Sequence, residues 1–364
     1  MSKVYFADMH ATFDENLQQK LVRLMRSAGI NSIDFKKQFT AIKMHFGEPG
    51  NLSYLRHNYA KTVADVVKSL GGRPFLTDCN TLYAGRRKDA LEHLDASYEN
   101  GFSPFGTGCQ VIIGDGLKGN DFVEVPINCK YVKSAKIGRA VMDADIIISL
   151  THFKGHEGTG IGGAIKNVGM GCGSRAGKME MHNNGKPQVD TDLCASCGKC
   201  RKICAHDAIC FVNKKANIDH SKCVNCGMCM GICVHDAIYP SNGSSCEALS
   251  EKMAEYAYAV LKDRPHFHIS LIVDVSPKCD CHGDNDVPIV PDIGMIASFD
   301  PVALDHACAD LVNEQLPQKG SVLFGVEKGT DYFTAVHPVT DWQVTLRHAE
   351  EIGLGSYDYE LVKI

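Results

Sequence analysis

The sequence predicts an α/β fold, a mostly parallel sheet layered with helices, interrupted by a small inserted α+β domain. Two observations carry this prediction. Short apolar runs alternate with stretches of helical spacing on both sides of the middle of the chain, and a cysteine-rich repeat separates the two sides. With 44% hydrophobic and 22% charged residues among 364, the composition suits a buried core.

The elements follow in order. Residues 4–7, 41–46, 74–77, 111–113, 146–150, 269–275 and 295–298 are apolar runs of strand length. Residues 15–28, 54–70, 86–99, 246–261 and 301–315 place apolar residues at helical spacing, and the last opens with Asp300-Pro301, a cap followed by proline at the first helical position. Strands alternating with helices are joined by crossovers, which makes their sheet largely parallel. The inserted domain is expected at 187–240, with the α/β domain built from 1–186 and 241–364. Two independent flanking domains are the alternative.

The 38 Lys and Arg against 43 Asp and Glu leave a net charge of −5. That is not the strong positive field that holds nucleic acid or an anionic membrane surface. The runs at 146–148 and 269–275 end far short of the roughly 18 apolar residues a membrane span needs. The first nine residues carry charged and polar side chains where a secretory segment needs a continuous apolar stretch, so the expected compartment is the cytoplasm.

Seventeen cysteines are many for a reducing compartment, and the surplus points to metal ligands or reactive thiols. Eight of them form two copies of C-x-x-C-x-x-C-x-x-x-C. CASCGKCRKICAHDAI, from Cys194, and CVNCGMCMGICVHDAI, from Cys223, agree at 10 of 16 positions at an offset of 29. Three cysteines so spaced let a short loop wrap one face of a 4Fe-4S cube, and in the two-cluster bacterial ferredoxin pattern the fourth ligates the other cube. Cys194, Cys197, Cys200 and Cys233 are therefore expected on one cluster, and Cys223, Cys226, Cys229 and Cys204 on the second. Zinc also takes C-x-x-C pairs but needs no third and fourth cysteine at these intervals. Ala205 and Val234 stand where that pattern has proline, and each keeps a backbone N–H. Two such clusters make an electron relay, and its attachment to a much larger host domain points to a destination there.

Within the host, residues 151–178, THFKGHEGTGIGGAIKNVGMGCGSRAGK, follow a strand. Gly158, Gly160 and Gly163 satisfy G-x-G-x-x-G, the spacing with which backbone N–H groups approach a phosphate at a helix start. Gly162 lies in the same run, and Lys166, Arg175 and Lys178 supply charge for a phosphate or carboxylate. A purely structural glycine-rich loop is the plainer alternative. His152 and His156 lie four apart in the same segment. His45, Glu48 and Asn51 follow another strand, where α/β sheets bind ligands, although Gly and Pro there also suit a simple turn. Beyond the 269–275 run come Cys279, Asp280, Cys281 and His282, four consecutive groups able to bind one additional metal ion or to present a thiolate. An incidental polar loop is the other reading. Cys172 is a candidate to join them, whereas Cys79, Cys109, Cys129, Cys210, Cys246 and Cys308 are expected to pack as small apolar residues.

The run HFKGHEGTGIGGAIKNVGMGCGSRAGK, with KMHFGEPGN before it and the Cys-Asp-Cys loop and PDIGMIASFDPVALD after it, resembles the iron-sulfur branch of the family known as domain of unknown function 362. The resemblance covers nearly the whole chain and implies a two-cluster ferredoxin segment inserted in an α/β domain. His156, Gly160, Gly162, Gly163 and Lys166 also resemble, at a different spacing, the His, Gly-Gly and Lys motif of nickel-pincer lactate racemases. The expected protein is an iron-sulfur oxidoreductase in which two 4Fe-4S clusters relay electrons between a redox protein partner and a small-molecule or cofactor site in the α/β domain. His45, His152, His156 and Lys166 are its catalytic candidates. Glu48, Asn51, Gly158, Gly160, Gly162, Gly163 and Lys178 are candidates to hold a flavin or other phosphate-bearing cofactor, and Cys279, Cys281 and His282 an extra metal. Two alternatives are a ferredoxin-like carrier or adaptor without its own substrate, and a metal- or cofactor-handling protein with redox-sensing clusters.

Overall fold

The computed structural model describes residues 1–82, 85–183, 187–223, 227–240 and 245–364. Eight strands form one sheet: β1 (Ser2–Asp8), β2 (Phe39–Lys43), β3 (Arg73–Asp78), β4 (Gln110–Ile113), β5 (Ile146–His152), β6 (His266–Ile272), β7 (Gly294–Ser298) and β8 (Tyr359–Lys363). Their order is β8-β1-β7-β6-β5-β2-β3-β4. Only β7 runs antiparallel to its neighbours, and every other pair is parallel. The expected α/β class with a mostly parallel sheet holds. β8 is the strand the sequence reading lacks, since its charged residues give it the pattern of a half-exposed edge.

Helices cover both faces, which is why the central strands are continuously apolar. On β5, Ile146, Ile148 and Leu150 point to one side and Ile147 to the other. The first side packs against Leu21, Leu24 and Met25 of the Leu17–Ser27 helix and Val63 and Val67 of the His57–Ser69 helix. Asn16 starts the former with a capping box closed by Gln19. The second side packs against the Ala164–Cys172, Cys246–Leu261 and Pro301–Asn313 helices. Each large apolar side chain buried in this way contributes about 1.5–3 kcal/mol. The glycine-rich segment, read as loop, contributes two helices, Ala164–Cys172 and Arg175–Asn183. Tertiary burial overrides the low helix propensity of its glycines: at Gly169 a side chain would strike the Met253 backbone of the Cys246–Leu261 helix.

Strands from both sides of residues 187–240 share the sheet. That segment forms a small unit, closed at its ends by the antiparallel pair Pro187–Val189 and Ile238–Pro240. Inside it lie a hairpin of Ile209–Val212 with Lys215–Ile218 and two short helices, Lys199–Ile203 and Met228–Gly231. Its small core joins Ile209, Ala216, Met230 and Ile238 to Leu82 and Met179 of the larger domain. Among the described residues no helix is long and apolar enough to cross a membrane.

Candidate functional site

From β2 the chain steps outward through β3 to β4, then returns to the other side of β2 and steps through β5 to β6. The crevice at the carboxyl ends of β2 and β5 is therefore a switch point, the place where open α/β sheets bind ligands. A cavity lies there. β2 and the residues after it contribute Lys43 and His45, β3 and its extension contribute Asp78, Cys79 and Thr81, and β5 leads into Thr151, His152 and Lys154. The cavity is closed by Arg87, by His156, Gly162, Gly163 and Lys166, by Lys178 and His182 of the Arg175–Asn183 helix, and by Cys281.

The lining is rich in cations. Lys43 is buried and pairs with Asp78 at 3.1 Å while its Nζ donates to Asn167 Oδ1 at 2.8 Å. Gly171 leaves room for it, since a Cβ there would collide with the ammonium. Burial opposes the charge on Asp78, yet Lys43, His93, Lys178 and Arg87 around it lower its pKa. Arg87 donates from Nε to Glu48 at 2.7 Å and from Nη1 to His45 Nε2 at 2.8 Å. Burial, with Arg87 beside the ring, holds the His45 pKa well below the ordinary histidine value. Burial and Lys166 also lower that of His156, and burial, with His156 and Lys166, brings His182 to about 3. In all three the surroundings favour the neutral imidazole.

One thiol departs from ordinary behaviour. Lys166 Nζ donates to Cys279 Sγ at 2.7 Å, and the Cys281 N–H reaches the same sulfur at 3.4 Å. A hydrogen bond from the Cys281 thiol, then Lys166 and His156, outweigh burial and hold the Cys279 pKa well below the usual thiol range. Cys281 is pushed the opposite way by the same bond and by burial. The bond between them thus draws the two sulfurs apart, Cys279 down and Cys281 up. Between them in sequence, Asp280 is buried against His152 Nδ1 at 2.9 Å and Lys154 Nζ at 3.1 Å. The loop is held from outside as well: Glu48 N donates to Asp280 O, Asn51 Nδ2 to His282 O at 3.1 Å, and His337 Nε2 meets Pro277 O at 2.7 Å.

The structure thus brings His45, His152, His156, Lys166, Lys178, Gly162, Gly163 and Cys281 to one cavity. His152 has both ring nitrogens engaged, by Asp280 and by Val273 O at 2.8 Å, and acts as a positioning residue. Glu48 and Asn51 lie behind the wall, tying Arg87 and the 279–282 loop in place. Gly158 and Gly160 face Leu249 and Trp342 instead. The phosphate cradle expected of Gly158, Gly160 and Gly163 is occupied by the protein itself, because Ala164 N and Ile165 N donate to the Asp305 carboxylate at 2.6 and 2.9 Å. His282 turns to Glu157, 3.3 Å away, rather than toward the two cysteines. Arg175 leaves the cavity for the small unit, where it packs on Gly227 and Gly231. Cys172 is buried, and its thiol rises to about 11. Lys43, Cys79, Asp78, Arg87, Lys154 and His182 were missed; the only signal was a lysine next to apolar strand residues at Lys43 and Lys154.

In the small unit, Cys194, Cys197, Cys200 and Cys233 line one cavity, and Cys204, Cys223 and Cys229 line a second. Cys226 lies outside the described residues. Ala216 N donates to Cys194 Sγ at 3.5 Å and Ala208 N to Cys204 Sγ at 3.4 Å. Among the described residues no three His, Cys, Asp or Glu side chains converge as they would on a single metal ion. The unit meets the larger domain close to the first cavity: Lys88, next to Arg87, pairs with Asp236 and reaches Cys233 O, and Arg175 donates to Lys88 O.

The family described as Domain of unknown function (DUF362) matches residues 40–310. No curated protein matches the chain. Among solved structures, the lactate racemase apoprotein from Thermoanaerobacterium thermosaccharolyticum is similar at 9% identity and a TM-score of 0.40, covering 75% of this chain and 51% of its own. A protein from Thermotoga maritima is similar at 10% identity and a TM-score of 0.44, covering 85% of this chain and 61% of its own. The chain thus spans between half and two thirds of the length of these two structures.

Proposed function

The chain belongs to the family described as a domain of unknown function (DUF362), and from its own residues we propose that it is an iron-sulfur oxidoreductase of that family's iron-sulfur branch. In this reading residues 187–240 are an inserted ferredoxin-like domain for two 4Fe-4S clusters, and the cavity of the α/β domain receives a small anionic substrate. The observation that carries it is the exchange of cysteines between repeats. Cys233, from the second motif, joins Cys194, Cys197 and Cys200 around one cavity, while Cys204, from the first, joins Cys223 and Cys229 around the other. An all-sulfur donor set spread around a cavity fits a cube, which keeps its four cysteines apart rather than drawing them to one ion. The N–H groups of Ala216 and Ala208 suit ligand sulfurs that carry negative charge. When bound, the clusters would supply electrons one at a time.

The chain's own residues connect the two sites. The Arg175–Asn183 helix places Arg175 and Met179 against the inserted domain and Lys178 and His182 in the cavity wall, and Arg87 and Lys88 do the same in two consecutive residues. Among the described residues five cations line the cavity: Lys43, Arg87, Lys154 and Lys166 meet Asp78, Glu48, Asp280 and the Cys279 sulfur, and Lys178 meets the carbonyls of Gly171 and Gly173. A substrate carboxylate would answer the Lys178 charge, which supports this reading over a carrier without a substrate. The closure of the Ala164–Cys172 helix start by Asp305 weighs against a phosphate-bearing cofactor at that point.

The test is an inventory of metal, sulfide and released small molecules from protein purified without air, joined to electron paramagnetic resonance of the reduced sample. About eight iron and eight sulfide per chain are expected, with Cys197→Ala losing one cluster. Iron absent from anaerobically reconstituted protein would overturn the proposal.

A further inference from the structure

We infer that Cys279 and Cys281 form a redox-active dithiol in the cavity wall, and that it serves a small disulfide bearing carboxylates. The inference rests on the electron-relay reading for its source of electrons. Cys281 lines the cavity, and Cys279 lies fully buried behind it, its sulfur bonded to the Cys281 N–H and to Lys166. A thiolate with a thiol two residues away and a cation alongside can form a disulfide and open it again, since a stabilised thiolate is a good leaving group. The loop that carries the pair is gripped by Glu48, Asn51 and His337, which fixes the backbone on either side of the two cysteines. Lys178, whose Nζ is held by the carbonyls of Gly171 and Gly173, gives the same wall a cation for a substrate carboxylate.

The chemistry balances. The Cys281 sulfur attacks one sulfur of the substrate disulfide as its proton passes to Cys279; the substrate S–S bond breaks, and the departing thiolate takes that proton. Cys279, again a thiolate, attacks the Cys281 sulfur and expels the second substrate thiolate, which is protonated by water. A Cys279–Cys281 disulfide remains. Two electrons, one from each cluster, and one proton return it to the Cys279 thiolate and the Cys281 thiol. In sum one disulfide, two electrons and two protons become two thiols.

Full-length protein, purified without air, with its thiols reduced by dithiothreitol that is then removed and its clusters left oxidised, is mixed with one equivalent of oxidised glutathione, quenched in acid, unfolded, alkylated and mapped by mass spectrometry. Two glutathione thiols are expected per chain together with a Cys279–Cys281 crosslink. Cys279→Ser should stop with glutathione attached to Cys281, and Cys281→Ser should release at least about tenfold less thiol. Wild-type protein in which both cysteines remain alkylated and uncrosslinked overturns the inference, whatever its iron content. In cluster-loaded protein, a crosslink that stays closed when the clusters are reduced, and opens only with added dithiothreitol, supports the dithiol and overturns the relay reading alone.

Discussion

Asp280 lies wholly buried between the two cysteines of its loop, with His152 on one side and Lys154 on the other. Burial works against its charge, and His152 and Lys154 lower its pKa. Removing one partner of such a group leaves the other charge uncompensated in low dielectric, at a cost of about 3–5 kcal/mol. Asp280→Asn is therefore expected to lower the thermal midpoint clearly in a melting experiment at neutral pH, and Lys154→Met in the same background should recover part of the loss. An unchanged midpoint would mean that solvent reaches Lys154. The sequence offers Asp280 only as one of four polar residues in a row. Its partners stand 128 and 126 positions away, a separation no local pattern encodes.

Among the elements, the Ala164–Cys172 helix has an unusual start. Gly163 stands at its N-cap with no side chain, and the missing acceptor comes from Asp305 on the Pro301–Asn313 helix. Gly163 must be glycine here because a Cβ would overlap the Asp305 carboxylate. Burial raises the Asp305 pKa to about 7 in spite of the two N–H donors, whereas an unfolded Asp titrates near 3.9. Between these values the folded chain keeps a proton that the unfolded chain has lost, so stability falls as pH rises through that window. Asp305→Asn removes this titration and keeps one acceptor. The difference in unfolding free energy between wild type and variant, from denaturant titrations, should move against wild type from pH 4 to pH 7, by at most about 1.4 kcal/mol per pH unit. A constant difference would show that Asp305 is ionised throughout.

For the whole molecule, the unit of residues 187–240 is small and shares its core with the rest of the chain through Leu82 and Met179. Its clasp is Arg175 on Gly227 and Gly231, together with Lys88 on Asp236. A Cβ at Gly231 would run into the Arg175 guanidinium. Gly231→Val should accordingly raise amide exchange across 227–233 and in the Arg175–Asn183 helix, while the main sheet stays protected. Small domains with little core lean on their metals for stability. On the proposed reading, chelation of cluster iron is expected to release protection over 187–240, measured by hydrogen exchange, with strands β1 to β8 unaffected. Equal protection with and without iron would argue that the domain stands on its own core.

The sequence by itself determined the α/β class and its mostly parallel sheet, because strand period, helix period and punctuation are local and repeat along the chain. The apolar run of β5 and the Asp300-Pro301 start of a helix are examples. It also marked Lys166, His156 and the Cys279–Cys281 loop as chemically unusual. Only the tertiary structure decided which marked residues meet. Lys166 reaches Cys279 across 113 positions, Asp305 fills the helix start that Gly158, Gly160 and Gly163 advertised for a phosphate, and Lys43 and Arg87 become cavity walls. The physical reason is that an ionised group in a cavity is defined by burial and by its opposite charge, both properties of packing between distant segments, whereas periodicity belongs to each segment alone.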